Sequence, residues 1–367
     1  MSPIHSQTKP LRLAFFITPH GFGHAARASS LIEALHKIRP EFHFEIFTTV
    51  PRWFFTDSLS ARFSYHSLLT DIGMIQQGPL REDVSKTIES LDGFYPFSPE
   101  LLGHVARKLT RLRCRIVLCD IAALGIAIAK KAGIPSVLME NFTWDWIYEG
   151  YVACNKHIAK HIDYLKHLFN SVDHHIQTEP VCSPQNVDLL TPPMSRAPRT
   201  SRERIRSALN IRDDEKVVLV TMGGIQGGVD DLEILHGRSD VRFIVPGTSS
   251  KRQVRDNMIV LPHHSGFFHP DLVNASDAVI GKLGYSTLAE AYHAGLPFGY
   301  VSRRRFRESE VLARFVERNM KGLAINEEDF LAGRWMPQVP HLLEFPRRHT
   351  PVPNGSKDVA GYISKLL

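Results

Sequence analysis

A histidine stands where a glycine turn gives way to a helix. Residues 20–27 read H-G-F-G-H-A-A-R, and His24 follows the second glycine of this turn. The partial positive charge of a helix N-terminus favours neutral imidazole, which is the form that acts as a general base. A surface histidine that caps the helix is the alternative interpretation, and the position alone leaves both open.

A carboxylate follows an apolar run further along the chain. Asp120 comes directly after residues 116–119 (I-V-L-C), which predict a buried parallel strand. The carboxyl ends of parallel strands share one edge of a sheet, so His24 and Asp120 are expected on one rim. Asp120 would then orient the imidazole and stabilise its charged form while the ring takes a hydroxyl proton. The alternative for Asp120 is a plain N-cap of the helix predicted over 122–132.

These candidates require the elements of a doubly wound α/β fold. Residues 11–18 predict a strand, residues 25–38 a helix and residues 42–50 a second strand. The turn between the first two contains G-x-G-x-x-A, which suggests a dinucleotide site. Residues 48–50 (T-T-V) lack the acidic residue that such sites carry at this point.

The second half of the chain repeats this alternation. A length of 367 residues suits two domains, and the proline-rich residues 191–199 (T-P-P-M-S-R-A-P-R) predict the hinge between them. We therefore expect one α/β domain over 1–198 and a second over 199–345.

Composition indicates which classes of binding partner and which cellular compartment suit the protein. The net charge of +6 favours anionic partners such as phosphates, nucleic acid or an anionic membrane surface, without choosing among them. Nucleic-acid binding rests on charge alone, and we expect none. Four cysteines without a C-x-x-C motif argue against a cysteine zinc site and suit a reducing compartment. We expect a cytoplasmic protein without a metal, and peripheral contact with the inner face of a membrane stays open.

A glycine-rich turn opens the second half. Residues 221–228 (T-M-G-G-I-Q-G-G) follow a predicted strand, and the amides of Gly223 and Gly224 can approach a phosphate or a sugar closely. An ordinary flexible turn is the alternative. No G-K-[ST] follows, so the turn is not a P-loop.

Residues 280–297 hold the most specific pattern, I-G-K-L-G-Y-S-T-L-A-E-A-Y-H-A-G-L-P. A diphosphate needs a cation, backbone amides and hydroxyls. The sequence offers these groups at Lys282, Gly284, Ser286 and Thr287. Glu290, one turn into the predicted helix, can accept hydrogen bonds from ribose hydroxyls. Plain helix capping by the two hydroxyls is the alternative.

This pattern resembles the donor-nucleotide signature of the GT-B glycosyltransferases. That superfamily includes the UDP-glycosyltransferases and the lipid-linked N-acetylglucosaminyltransferase of peptidoglycan synthesis. The plant signature reads H-C-G-W-N-S-T-L-E, and residues 282–290 read K-L-G-Y-S-T-L-A-E. The resemblance implies that Ser286 and Thr287 bind the phosphates and that Glu290 binds the ribose. Lys282 replaces the family's histidine and still offers a cation.

The likeness extends to the catalytic pair and to the architecture. Gly23-His24 is similar to the family's G-H, whose histidine is the base, and Asp120 matches the dyad aspartate that ends a strand before a helix. The resemblance implies two Rossmann-like domains that face a central cleft. It also implies a last helix, within 346–367, that crosses back onto the first domain.

A closer resemblance, over about residues 21–335, is to the amino-terminal, glycosyltransferase-like half of plant L-arabinokinases. It rests on residues 23–27, 141–148, 281–285, 296–298 and 303–308. The chain lacks the P-x-x-x-G-L-x-S-S-A phosphate loop of the kinase half, so the resemblance does not imply sugar kinase activity.

Two further segments complete the predicted site. Residues 303–308 (R-R-R-F-R-E) follow a strand, where the superfamily places an acidic ligand of the donor sugar. Glu308 is the candidate for that role, and the arginines could hold phosphate or a polar acceptor. Residues 141–148 (N-F-T-W-D-W-I-Y) follow another strand and could stack an acceptor and bind its hydroxyls, or simply pack beneath a loop. The candidates there are Trp144, Asp145 and Trp146.

Together these features predict an inverting, metal-independent glycosyltransferase with a nucleoside-diphosphate sugar, UDP-linked, as donor. His24 would deprotonate a hydroxyl of an acceptor that the sequence does not name. The donor is a substrate, so no cofactor is expected. Two alternatives stay open, a nucleotide-sugar 2-epimerase of the same fold and a non-catalytic protein that binds or senses sugar nucleotides. The sequence also leaves the oligomeric state open.

Overall fold

Two mainly parallel β-sheets of seven strands each frame the molecule. The computed structural model describes residues 10–78, 80–223, 235 and 240–367, and every count below refers to these residues. Gly224, one of the two glycines predicted to approach a phosphate, lies outside the described residues. The alternation of parallel strands and helices confirms the predicted doubly wound α/β class.

The first half contains nine strands and seven α-helices. The strands are β1 (Arg12–Ile17), β2 (His43–Thr48), β3 (Phe63–Ser67), β4 (Gln76–Gly78), β5 (Arg81–Glu82), β6 (Cys114–Asp120), β7 (Ser136–Glu140), β8 (His174–Thr178) and β9 (Leu189–Thr191). The helices are α1 (Gly23–Ile38), α2 (Arg52–Ser58), α3 (Val84–Phe94), α4 (Pro99–Leu112), α5 (Ala123–Ala132), α6 (Trp144–Glu149) and α7 (Ala159–Phe169). A parallel sheet runs in the order β3-β2-β1-β6-β7-β8-β9, and β4 and β5 form a separate antiparallel pair.

The second half has the same plan. Its strands are β10 (Lys216–Thr221), β11 (Val241–Ser249), β12 (Gln253–Arg255), β13 (Met258–Pro262), β14 (Ala278–Lys282), β15 (Phe298–Val301) and β16 (Gly322–Ile325). Its helices are α8 (Arg202–Ala208), α9 (His269–Ala275), α10 (Tyr285–Ala294), α11 (Glu308–Asn319), α12 (Glu327–Leu331), α13 (Val339–Glu344) and α14 (Ser356–Leu366). The sheet order is β12-β13-β11-β10-β14-β15-β16, and the edge strand β12 is antiparallel to β13.

The strand registers create one functional rim in each half. Ile17 pairs with Asp120 and Asp120 pairs with Met139, so β1, β6 and β7 end side by side. In the second sheet Lys282 pairs with Val301, so β14 and β15 end together. The loops that follow these strands therefore gather at one edge of each sheet, where parallel sheets bind their ligands.

The last helix belongs spatially to the first half. Val359, Ala360 and Ile363 of α14 are fully buried in the same apolar cluster as residues of β1 and α1. Just before this helix, the amide of Gly355 donates to the carbonyl of Pro193 in the proline-rich segment at 3.1 Å. None of the described helices is long and apolar enough to cross a membrane.

Candidate functional site

A cleft between the two rims holds about 1330 Å³ of space, part of it open to solvent. Residues of both halves line it. Among the predicted site residues, the lining includes His24, Gly223, Lys282, Gly284, Ser286, Thr287, Glu290 and Glu308.

Two helices begin on opposite walls of the cleft. α1 begins at Gly23, and α10 begins at Tyr285 after its N-cap, Gly284. At neither N-terminus does a side chain cap the amides of the first helical turn. A side chain added at Gly23 would lie 3.5 Å from the hydroxyl of Ser286. The partial positive charges of both helix ends therefore act on one small space, which favours an anion there.

His24 and Asp120 form a hydrogen-bonded pair on the first rim. Nδ1 of His24 lies 2.8 Å from Oδ1 of Asp120. The carboxylate can only accept, so we assign the proton of the ring to Nδ1, which leaves Nε2 able to accept a proton. Ala122, not Asp120, is the N-cap of α5. The geometry is that of a base with an orienting carboxylate.

Arg27 joins this pair from the same face of α1. Its Nε donates to Oδ2 of Asp120 at 2.9 Å and its Nη2 donates to Oδ1 at 2.6 Å. Burial alone would raise the pKa of the Asp120 carboxyl, but the charge and hydrogen bonds of Arg27, together with His24, hold this pKa below its ordinary value. The aspartate is therefore ionised, and Arg27 balances its charge. Sequence reasoning missed Arg27, although its place one helical turn after His24 was a usable signal.

The polar chain continues across the cleft to the second half. Nη1 of Arg27 donates to Oδ1 of Asn141 at 2.6 Å, and Nδ2 of Asn141 donates to Oε1 of Glu308 at 2.9 Å. Asn141 is completely buried. The predicted base and the predicted donor-sugar ligand are thus ends of one hydrogen-bonded chain. Sequence reasoning assigned no role to Asn141, and its position after β7 was the only signal.

Lys282 lies at the end of β14 in the second rim. Burial and the nearby positive charge of Arg303 lower its pKa to about 7, against the opposing effects of Glu308 and Glu82. A side chain added at Gly223 would lie 3.9 Å from Cε of Lys282, so the first glycine-rich turn reaches the same place. The lysine stands where an anion bound to the N-terminus of α10 would restore its charge.

Glu290 is held by an arginine and a histidine. Oε1 accepts from Nε and Nη2 of Arg196 at 3.0 and 2.9 Å, and Oε2 lies 2.7 Å from Nδ1 of His269. Burial would raise the pKa of this carboxyl, but the charge of Arg196 and the His269 contacts hold it below the ordinary value. Arg196 comes from the predicted hinge and also donates to Ser58 of the first half at 3.0 Å. Sequence reasoning treated this arginine only as linker.

Aromatic side chains enclose the part of the cleft next to Glu290. Phe22 and Trp53 of the first half face His263 of the second, with ring centroids 5.0 and 5.8 Å apart. Phe267 and Phe268 line the same region. Flat apolar walls of this kind suit a planar ring system.

The three residues predicted to bind an acceptor do not line the cleft. Trp144 is completely buried, with its ring 5.1 Å from His20 and 5.3 Å from Phe142. Trp146 lies under the guanidinium of Arg307 at 4.1 Å. Burial raises the pKa of Asp145, the third of these residues. Their role in acceptor binding stays a prediction, while their observed contacts are those of packing beneath the cleft.

Metal-ligating side chains do not gather in the described ranges. No group of three or more His, Cys, Asp or Glu side chains there could hold a metal ion.

Comparison with known proteins identifies the fold. The chain matches the solved structure of the glycosyltransferase of kitacinnamycin with a TM-score of 0.63, 15% identity and coverage of 98% of this chain and 100% of that one. A UDP-glucosyltransferase from Polygonum tinctorium gives a TM-score of 0.61 and 13% identity, with 98% and 99% covered. The protein therefore has the GT-B fold, and the resemblance predicted from its motifs is confirmed at the level of fold.

Two characterised proteins are similar in sequence. L-arabinokinase of Arabidopsis thaliana is 28% identical over 341 residues, which are 92% of this chain and 32% of that protein. The UDP-N-acetylglucosamine--N-acetylmuramyl-(pentapeptide) pyrophosphoryl-undecaprenol N-acetylglucosamine transferase of Bacillus licheniformis is 24% identical over 239 residues, or 59% of this chain and 60% of that one. The chain thus spans about a third of the first relative and three fifths of the second. No protein-family profile matches it.

Proposed function

We propose that this protein is a glycosyltransferase that moves a sugar from a UDP-linked donor to an acceptor hydroxyl. The observation that carries the proposal is the placement of His24 and its aspartate on one wall of a cleft whose other wall is the N-terminus of α10. One wall offers a proton acceptor, and the other offers amides and Lys282 to a diphosphate. These are the two requirements of glycosyl transfer from a nucleotide sugar.

The negative charge of the leaving diphosphate supports the assignment of the donor side of the cleft. A leaving diphosphate gains negative charge as the glycosidic bond breaks, and preorganised amides with a lysine stabilise that charge without a metal. The Bacillus relative is named for UDP-N-acetylglucosamine, and the Polygonum protein is named as a UDP-glucosyltransferase. Both names support a UDP-linked donor for this chain.

The acceptor side follows from the geometry at His24. Nε2 takes the proton of the acceptor hydroxyl, the oxygen forms a bond to the anomeric carbon, and the bond to the diphosphate breaks with its electron pair on the leaving oxygen. Asp120, hydrogen-bonded to Nδ1, stabilises the imidazolium that results. Attack from the face opposite the leaving group inverts the anomeric centre, so a single displacement predicts inversion.

The cysteines bear on the compartment. All four are free thiols, and Cys154 is exposed. Free thiols suit a reducing environment, so we propose a cytoplasmic location, where nucleotide sugars are used.

One contact favours a second function, sugar-nucleotide binding without transfer. Arg27 engages both carboxylate oxygens of Asp120, so part of the negative charge that would stabilise an imidazolium is already balanced. A protein that only senses sugar nucleotides could keep such a pair for its shape.

Donor hydrolysis separates the two functions. Purified protein is incubated with UDP-glucose, UDP-N-acetylglucosamine and UDP-glucuronic acid, with and without a mixture of hydroxyl acceptors, and released UDP is measured. A transferase releases UDP from at least one donor, faster with an acceptor, and the release is lost in His24→Ala. Binding of these donors in a thermal-shift assay without any UDP release would contradict transfer and support a sensor.

A further inference from the structure

Four buried polar atoms near the end of β15 lack a hydrogen-bond partner within the described part of the chain. They are Nε and Nη1 of Arg303, the hydroxyl of Tyr151 and Oε1 of Glu82. Arg303 is only 4% exposed and Tyr151 only 1%. Buried polar groups in folded proteins are nearly always hydrogen-bonded, so such a cluster indicates a position that a ligand or solvent fills.

The two carboxylates near Arg303 do not accept hydrogen bonds from its guanidinium. Nη1 lies 3.7 Å from Oε1 of Glu82 and Nη2 lies 3.8 Å from Oε2 of Glu308, which are beyond hydrogen-bond distance. The ring of Phe306 lies 3.4 Å from the guanidinium carbon, so it fixes the plane of the group. Arg303 is thus held in place in the lining of the cleft, with Nε and Nη1 shielded from solvent and without hydrogen-bond partners in the described part of the chain.

The unpartnered atoms are richer in donors than in acceptors. Arg303 contributes two donor nitrogens and the Tyr151 hydroxyl a third donor atom, against one carboxylate oxygen of Glu82. A ligand group that only accepts hydrogen bonds matches this surplus better than a hydroxyl, which must also donate. An arginine fork binds a carboxylate through two parallel hydrogen bonds.

The position of Arg303 indicates which part of the ligand it meets. Lys282 and Val301 are register partners in β14 and β15, so Arg303, two residues further on, adjoins the lysine that we assign to the diphosphate. Its other neighbour is Glu308, the predicted ligand of the donor sugar. Arg303 therefore lies on the sugar side of Lys282.

We propose that Arg303 binds a carboxylate on the transferred sugar, so that the donor is a nucleotide-linked uronic acid rather than a neutral hexose. This inference rests on the proposed function, because it needs a UDP-linked sugar in the cleft. The acidic sugar places its carboxylate against the guanidinium of Arg303, and a neutral sugar leaves this guanidinium without a hydrogen-bonded ionic partner.

The test compares three ligands by isothermal titration calorimetry: UDP, UDP-glucose and UDP-glucuronic acid. Wild-type protein should bind UDP-glucuronic acid about 10- to 100-fold more tightly than UDP-glucose, the scale of hydrogen bonds to a charged group. Arg303→Gln should bring this ratio to within about threefold of one and leave UDP affinity within about threefold. Arg303→Lys, which keeps the charge without the fork, should keep part of the preference.

Arg305→Gln is the matched control, because Arg305 belongs to the same loop and is exposed. It should behave as wild type with all three ligands, and melting curves of each variant report folding. Equal weakening of all three ligands by Arg303→Gln would place this arginine on the diphosphate and overturn the proposal. Equal or tighter wild-type binding of UDP-glucose would overturn it as well. Failure of UDP itself to bind would instead overturn the proposed function, and this inference with it.

Discussion

The charged side chains on the two walls of the cleft differ in their hydrogen-bond partners. On the first wall His24, Asp120 and Arg27 are bonded to one another at 2.6 to 2.9 Å, and the network is complete without a ligand. On the second wall Lys282 is partly buried and Arg303 is buried, and burial lowers the pKa of both. The first wall is organised before substrate arrives, while the second needs the negative charge of a ligand.

This contrast assigns different tasks to the two walls. A preorganised base is ready for chemistry, so substitutions there should act mainly on rate and on stability. On the second wall the carboxylates nearest Arg303 lie beyond hydrogen-bond distance, so a bound anion adds most there and substitutions should act mainly on affinity.

Loss of the base has the largest expected effect. His24→Ala should reduce transfer by about 10²- to 10⁴-fold, because no group at its position would take the hydroxyl proton. UDP affinity should change by less than about threefold, since His24 belongs to the first wall. Initial rates and calorimetric titration of UDP check both parts. His157→Ala, an exposed histidine in the same half, is the control and should match wild type. Full transfer by a folded His24→Ala protein would remove His24 as the base.

Loss of Arg27 should destabilise the first wall. Arg27→Met leaves the buried Asp120 carboxylate without its main ionic partner, and breaking a buried pair in this way costs about 3–5 kcal/mol of unfolding free energy. Urea denaturation measures the loss. The double variant Arg27→Met with Asp120→Asn should recover part of it, because the orphaned charge is gone. A loss below about 1 kcal/mol in the single variant would show that the network is not preorganised by this pair.

The two walls also show which features of the site the sequence predicts and which it does not. The fold class, and the adjacency of His24 and Asp120, follow from local patterns, because a strand, a turn and the carboxyl end of a parallel strand each have a sequence signature. Sequence reasoning missed the ion pairs of Arg27 with Asp120 and of Arg196 with Glu290, because the choice of the side chain that completes a buried ion pair depends on packing between elements.

The aromatic segment after β7, residues 141–148, shows that the sequence does not predict the direction of each side chain. Trp144 and Trp146 follow a strand on the predicted rim, yet neither lines the cleft: Trp144 is completely buried, and Trp146 packs against Arg307. Position after a strand predicts the rim, but the direction of each side chain depends on what packs against it. Arg303 is a similar case, since its lack of close partners is visible only once Glu82 and Glu308 are in place.

Glu290 should contribute to ligand affinity in addition to its buried ion pair with Arg196. Glu290→Ala should weaken UDP and uridine alike, by about 1.5–3 kcal/mol, if its carboxylate accepts hydrogen bonds from the ribose that both ligands share. Lys282→Ala should weaken UDP and spare uridine, which lacks the diphosphate. Calorimetric titration of both ligands checks the pattern, with the exposed Glu310→Ala as control. Unchanged uridine binding in Glu290→Ala would reject the ribose assignment.

The smallest effect is the pH dependence of UDP binding. In the free protein burial and the charge of Arg303 hold the pKa of Lys282 near 7, so the lysine loses its proton as the pH rises above 7. A bound diphosphate favours the protonated form and raises this pKa again. UDP affinity should therefore be nearly constant just below pH 7 and fall by up to about tenfold per pH unit above it, until the pKa of the bound state is reached. The pKa of neighbouring His20 lies well below its ordinary value, so that ring stays neutral in this range.

Proton uptake on UDP binding tests the contrast between the walls most directly. Calorimetric titration at pH 8, in two buffers with different ionisation enthalpies, counts the protons taken up for each UDP bound. We expect uptake approaching about one proton per UDP in the wild type and close to none in Lys282→Arg, whose guanidinium stays charged. UDP binding without proton uptake in the wild type, or uptake that persists in Lys282→Arg, would contradict this expectation.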